Sequence, residues 1–184
     1  MTRPPIRATY SLVNHHGVEV TEASYRGRWQ LVRFGFTACR VVCPRALALL
    51  DDVLDRLGGA AAVVVPLYVT VDPARDTPDR LRSHLGSTHP RFTGLTGTAE
   101  QTADAAAAFR VFARRRDTPT GYDVAHTAMT YLLDPAAVPV LFWPDTRDAA
   151  GIAADLATVL TAAGTRAPGP ARWAARPGGP TLPG

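Results

Sequence analysis

Residues 29–57 read WQLVRFGFTACRVVCPRALALLDDVLDRL, and this stretch decides the fold. Its first part, Trp29 to Phe36, alternates and is rich in aromatic and β-branched residues, which predicts a strand ending at Gly35-Phe36. Its last part, Arg45 to Leu57, places Leu47, Leu50, Leu54 and Leu57 at helical spacing, which predicts an amphipathic helix. Pro44 suits the first turn of that helix, where a missing N–H removes no bond, and Gly58-Gly59 ends it. Between strand and helix stand Cys39 and Cys43, the only two cysteines of the 184 residues. Two cysteines are too few to staple a chain of this length, so their closeness points to chemistry.

Working outward, Thr9–Val13 and Val18–Thr21 read as strands around a His15-His16-Gly17 turn, which predicts an N-terminal β-hairpin. The apolar run Val63–Val71 predicts a strand buried on both faces. Thr77-Pro78 starts a helix to about Leu85, and Phe92–Leu95 is a short strand. Thr98 with Gln101 three residues on is a capping box that opens an alanine-rich helix to about Phe112. Arg114-Arg115-Arg116 reads as the solvated end of that helix. Thr118–His126 reads as a loop, Ala128–Leu133 and Val138–Trp143 as strands, and Asp148–Ala163 as the last helix. Strand–helix alternation closed by a hairpin and a helix is a thioredoxin-like α/β arrangement: a sheet flanked by helices, with an N-terminal β-hairpin. The expected organisation is a flexible N-terminus at 1–8, one domain at 9–164, and a disordered Pro/Gly/Arg-rich tail at 165–184.

Composition narrows the function. Hydrophobic residues make up 46% and charged residues 20%, as in a globular chain with a real core. The longest apolar run is about half the length a spanning helix needs. All 20 basic residues are Arg, a bias that reads as genome composition. Three of them, Arg166, Arg172 and Arg176, lie in the acid-free tail, so residues 1–164 are nearly neutral and no nucleic-acid groove is indicated. The first twelve residues have no apolar stretch behind Arg3 and Arg7, so they are not expected to be a signal peptide. There is no paired-carboxylate set, no Ser–His–Asp set and no glycine-rich phosphate loop.

If the helix already includes Cys39, its four-residue step puts both sulfurs on one face, where two thiolates grip one soft ion or oxidise to a disulfide. The helix N-terminus and Arg40 both favour thiolate, so lowered cysteine pKa values are expected. In a thioredoxin-like sheet the loop before the late strand pair faces the dithiol. Redox thioredoxins typically have a proline there, whereas this chain has Val124-Ala125-His126-Thr127. Two thiolates and one imidazole make a three-coordinate soft site that suits Cu(I). A structural zinc site wants a fourth ligand, and there is no third cysteine. Asp72 reads as a strand-ending turn residue, and Arg75 and Asp76 as part of the Thr77 cap. His15, His16, His84 and His89 read as surface residues, the His15-His16 pair being open to adventitious metal.

The segment from Phe34 to Pro44 resembles the metal-binding segment of the SCO/SenC copper chaperone family. Val71-Asp72-Pro73-Ala74-Arg75-Asp76-Thr77-Pro78, Phe92–Thr98, and Asp123–His126 followed by Tyr131–Pro135 are similar to three further signatures of that family, in order, over about residues 9 to 143. The resemblance implies a thioredoxin-like metallochaperone, not a turnover enzyme, with one copper ion on Cys39, Cys43 and His126. It implies an acceptor such as the copper-bearing subunit of cytochrome c oxidase, and outer roles for Asp72 and Arg40. Three departures stand out. Arg40 and Val41 replace the usual Pro and acid after the first cysteine. The family is usually membrane-anchored and extracytoplasmic, whereas this chain shows no anchor and is expected to be cytoplasmic if complete. The tail after Arg166 has no counterpart. The competing reading of the same dithiol is a thiol–disulfide oxidoreductase. A peroxidase reading lacks the Thr and Arg set around a reactive cysteine.

Overall fold

Two strands whose residues are all buried, β3 (Trp29–Gly35) and β4 (Val64–Thr70), lie parallel at the centre of the sheet. The computed structural model describes residues 6–164. The continuous burial of both strands, which in β3 takes in Gln30 and Arg33, follows from their having helices or other chain on each face. β5 (Thr93–Thr96) adds in parallel beside β4. Beyond it come β1 (Ser11–Asn14) and β2 (Glu19–Thr21), the expected hairpin, with β1 antiparallel to both neighbours. On the other side β8 (Met129–Leu133) and β9 (Pro139–Pro144) add antiparallel. The order is β2-β1-β5-β4-β3-β8-β9.

Two apolar layers hold this sheet. On one face α1 (Val42–Leu57), α2 (Pro78–Gly86) and α4 (Ala149–Ala162) bury Leu47, Leu50, Leu81, Leu85, Ile152 and Leu156 against Leu31 and Trp29. On the other face α3 (Ala99–Ala108) packs Ala105 and Phe109 near Phe34, Leu67 and Tyr131. Residues 6–8, expected to be part of a flexible N-terminus, close this second layer. Arg7 N–H donates to the Ala108 carbonyl at 3.1 Å, and Ala8 is fully buried. Residues 1–5 and the expected tail at 165–184 lie outside the described residues.

The region after α3 differs from expectation. The helix stops at Ala108, and Arg114-Arg115-Arg116 lie on β6 (Ala113–Thr118), paired antiparallel with β7 (Gly121–His126) where a loop was expected. The stop is a Schellman closure: Val111 N–H bonds Ala106 O at 2.7 Å and Arg110 N–H bonds Ala107 O at 3.0 Å. Arg110 takes the left-handed position at φ 58° that glycine usually fills, so the customary sequence signal is missing. The strand reading was hidden because every residue of β6 is exposed and charged or small, and its ladder exists only once β7 lies beside it.

Candidate metal centre

Gly35 ends β3 and Val42 begins α1, so Cys39 lies in the turn before the helix and not within it. The sulfurs therefore do not meet as one helical step. Instead the Cys43 N–H donates to Cys39 Sγ at 3.3 Å, so that sulfur satisfies a first-turn N–H which Val41, at the cap, leaves open. The Cys39 N–H donates to the Phe36 carbonyl at 3.2 Å and closes the turn. Cys39 is half-buried, whereas Cys43 is 1% exposed and packs with Phe36 and Val124.

Burial pushes the Cys43 thiol up to about 12, with Cys39 adding to the rise. The expected lowering by the helix N-terminus and Arg40 is thus reversed for Cys43: desolvation penalises the thiolate more than these groups stabilise it. Arg40 itself is exposed and makes no ion pair among the described residues. Tyr68 lies beside Cys43, its phenol held well above the ordinary value by burial and then by that cysteine. Its hydroxyl sits where a Cβ on Gly35 would be, so this glycine makes room for the ring.

His126, at the end of β7, brings Nε2 to 3.7 Å from Cys43 Sγ. Its ring meets Phe36 edge-on, with centroids 5.7 Å apart. Burial, then the charge of Arg33, lowers its pKa and keeps the imidazole neutral, the form in which it donates a lone pair. Arg33 is buried in β3 and pairs through both guanidinium nitrogens with Asp145.

Asp72 touches neither sulfur nor His126. Its carboxylate accepts from the Tyr122 hydroxyl at 2.8 Å and from Arg75 Nε, while Arg75 donates to the Tyr122 carbonyl at 3.1 Å. The Arg75 and Arg115 guanidiniums each lie 3.9 Å from the Tyr122 ring centroid. Asp72 therefore fastens the β6–β7 hairpin to the end of β4. Asp76, read as part of a cap, is fully buried and accepts from Thr37 N (3.0 Å), Thr37 Oγ1 (2.6 Å) and Thr70 Oγ1 (2.6 Å). It ties the chain two residues before Cys39 to the end of β4. The available signal was a pair of threonines, Thr37 just beyond the end of β3 and Thr70 at the end of β4, within reach of one acid. Thr77 is the helix cap, as expected.

The other histidines stand apart. His15 is buried, not a surface residue. Gly94 N–H donates to its Nδ1 at 2.8 Å, so the neutral ring carries its proton on Nε2, 2.8 Å from His16 Nε2. That tautomer leaves His15 no lone pair for a metal. His89 meets Asp51 at 2.5 Å, and the His84 ring lies near Tyr68.

Among the described residues no three His, Cys, Asp or Glu side chains are arranged to hold a metal ion. What the fold brings together is Cys43 with His126, and Cys39 with the Cys43 backbone. The donor types suit a soft ion: two sulfurs and a neutral imidazole, walled by Phe36, Val124, Ala38 and Val71. A groove of about 700 Å³ between the cysteine turn and the hairpin tip, lined by Cys39, Arg40, Val41, Arg75, Tyr122 and Asp123, leads to it. No helix among the described residues is long and apolar enough to cross a membrane.

Comparison with known proteins adds the lineage. The SCO1/SenC family model matches residues 1–161. Protein sco1 of Schizosaccharomyces pombe is 36% identical over 141 residues, 72% of this chain and 52% of its own. The chain spans about half the length of the curated relatives it matches. Arabidopsis thaliana ScoI, solved with copper bound, superposes at a TM-score of 0.80 with 30% identity over 85% of this chain and 99% of that one. Bradyrhizobium japonicum ScoI, also with copper bound, gives 0.76 and 34% over 83% and 98%.

Proposed function

The chain belongs to the SCO1/SenC family, and on that footing we propose that it is a metallochaperone. It holds one copper ion through Cys39, Cys43 and His126 for delivery to the copper centre of cytochrome c oxidase or a related acceptor. The observation that carries the reading is the 3.7 Å approach of His126 Nε2 to Cys43 Sγ, two residues 83 positions apart, one on the β6–β7 hairpin and the other in the first turn of α1. Copper-bearing relatives of the same fold support it.

Copper is the cargo. Uptake of Cu(I) displaces the thiol protons of Cys39 and Cys43, and His126 is already neutral, so binding releases protons and strengthens with pH. Two thiolates and Cu(I) leave one net negative charge, which the N-terminus of α1 stabilises. Cys39 is the more open sulfur and borders the groove, so it is the first to yield copper to an incoming thiolate. Asp72 and Arg75 hold the hairpin, and through it His126, against the dithiol.

The second reading, thiol–disulfide exchange, draws on Cys39 Sγ at the helix start. Cys39 would attack a partner disulfide and Cys43 would resolve the mixed disulfide. A Cys43 thiol raised to about 12 is a poor resolving nucleophile at neutral pH, which ranks this reading second.

An anaerobic Cu(I) titration against a competing chelator tests the proposal. One equivalent is expected to bind, with loss in Cys39→Ser and Cys43→Ser, and about tenfold or more weakening in His126→Ala. Undiminished affinity in His126→Ala removes the histidine from the ligand set. Copper-free reduction of a model disulfide that needs both cysteines and ignores His126→Ala would establish the second reading instead.

A further inference from the structure

The β6–β7 hairpin has two unlike faces. Residues opposite one another in an antiparallel pair share a face, so Ala113, Arg115 and Asp117 lie with His126, Val124 and Tyr122 on the inner one. Arg114 and Arg116 then lie on the outer face with Ala125 and Asp123, and Phe112 and Thr127 continue it through the Thr127 N–H to Phe112 carbonyl bond at 2.8 Å. Phe112 is 58% exposed, and both arginines are exposed.

Arginines without an ion pair among the described residues occur elsewhere too, at Arg7, Arg26, Arg28, Arg45, Arg80 and Arg110, but on this stripe two of them share one face with an exposed aromatic ring. Arg33, Arg56, Arg82, Arg91 and Arg147 each meet a carboxylate, as do Arg75 and Arg115 on the inner side. Arg114 and Arg116 form no ion pair among the described residues, and neither does Arg40 on the facing lip of the groove. Asp123 stands opposite Arg116, but its Oδ1 accepts from the Val124 N–H at 2.8 Å. An edge strand needs charge only to discourage pairing. It does not need an exposed aromatic ring beside that charge, and arginine with aromatics is the composition of protein interfaces.

We propose that the outer face of this hairpin, with Arg40 and the exposed Val41 across the groove, docks an acidic protein segment that flanks the acceptor's metal-binding cysteines. The identity of the partner as a copper acceptor rests on the function proposed above. The acidic chemistry of the docked segment rests on the stripe itself. A segment anchored on Phe112, Arg114 and Arg116 lies on the strands that carry His126, and its cysteines reach Cys39 along the groove. A nucleic acid or an anionic bilayer would call for a broader basic field than a narrow stripe interrupted by Ala125 and Asp123.

The test uses the copper-free full chain and two labelled peptides of equal length around one Cys-x-x-x-Cys core, with Glu-rich or Lys-rich flanks. Fluorescence anisotropy is expected to show binding of the Glu-flanked peptide alone, weakening about tenfold between low and physiological salt. The same loss is expected in R114E/R116E. The R26E/R56E variant has the same change in net charge at distant sites, and it is expected to retain binding. Equal binding by wild type and R114E/R116E overturns the proposal, and so does equal loss in R26E/R56E. Tighter binding of single-stranded DNA or of phosphatidylglycerol vesicles, abolished by R114E/R116E, overturns it in favour of those ligands. R114Q/R116Q serves if charge reversal unfolds the hairpin. Because no copper is present, a failed Cu(I) titration and a failed peptide assay are separate results.

Discussion

The two halves of the proposed copper site are built unlike each other. The cysteine half, from β3 through the turn into α1, is rooted in the central strands. Its last strand residues are buried, and Asp76 clamps the turn through three hydrogen bonds. The histidine half is a two-stranded hairpin outside the main sheet, with β6 exposed along its length. A small apolar cluster of Phe36, Cys43 and Val124, and the Asp72–Arg75–Tyr122 contacts, hold it in place. The contrast teaches that one site can join a rigidly rooted part to a lightly held one. The two cysteines are fixed by the core, whereas His126 rides on the lightly held element.

The comparison breaks first, and hardest, at its buried end. Asp76→Ala leaves the Thr37 N–H and the O–H donors of Thr37 and Thr70 without an acceptor in a buried setting, and is expected to lower global stability by about 4 kcal/mol. Urea unfolding measures this, and a loss under about 1 kcal/mol would show that the turn is not clamped there. Asp145→Ala strands the buried Arg33 charge beneath His126 and is expected to cost about 3 kcal/mol in the same assay. At the hairpin end, Tyr122→Phe removes one hydrogen bond to Asp72, at about 1 kcal/mol. Here the loss should be local: amide exchange is expected to quicken along β6 and β7 while the central strands keep their protection. Uniform quickening would mean that the hairpin unfolds only with the core.

The smallest effect comes from His15, remote from both halves. Its folded pKa is lowered to about 4 by burial, then by His16 and Arg82. Between about pH 6.5 and 4 the unfolded chain takes up a proton that the folded chain refuses, so stability falls with pH across that window and no further below it. The stability difference between wild type and His15→Gln should shrink over that window. A difference constant with pH would show that His15 does not titrate this way.

Much of the cysteine half was legible in the sequence. The alternation of Trp29–Phe36 and the leucine spacing of α1 are local patterns, and they placed Cys39 and Cys43 at a strand–helix junction. The hairpin was not legible, because Arg114-Arg115-Arg116 have no strand signature of their own and Arg110 closes α3 without a glycine. Nor was the clamp: Asp76 sits beside a true helix cap, and only the meeting of Thr37 and Thr70 at adjacent strand ends shows where its carboxylate goes.

The order of elements, the dithiol and the thioredoxin-like resemblance are properties of the sequence by itself, because periodicity and residue chemistry act over a few neighbours. The tertiary structure alone decided that Cys39 precedes the helix, that burial raises Cys43 where the helix start was expected to lower it, and that His126 reaches it at 3.7 Å. Those outcomes depend on desolvation and on contacts between segments far apart in the chain, and neither exists until the sheet and the hairpin have closed around the sulfur.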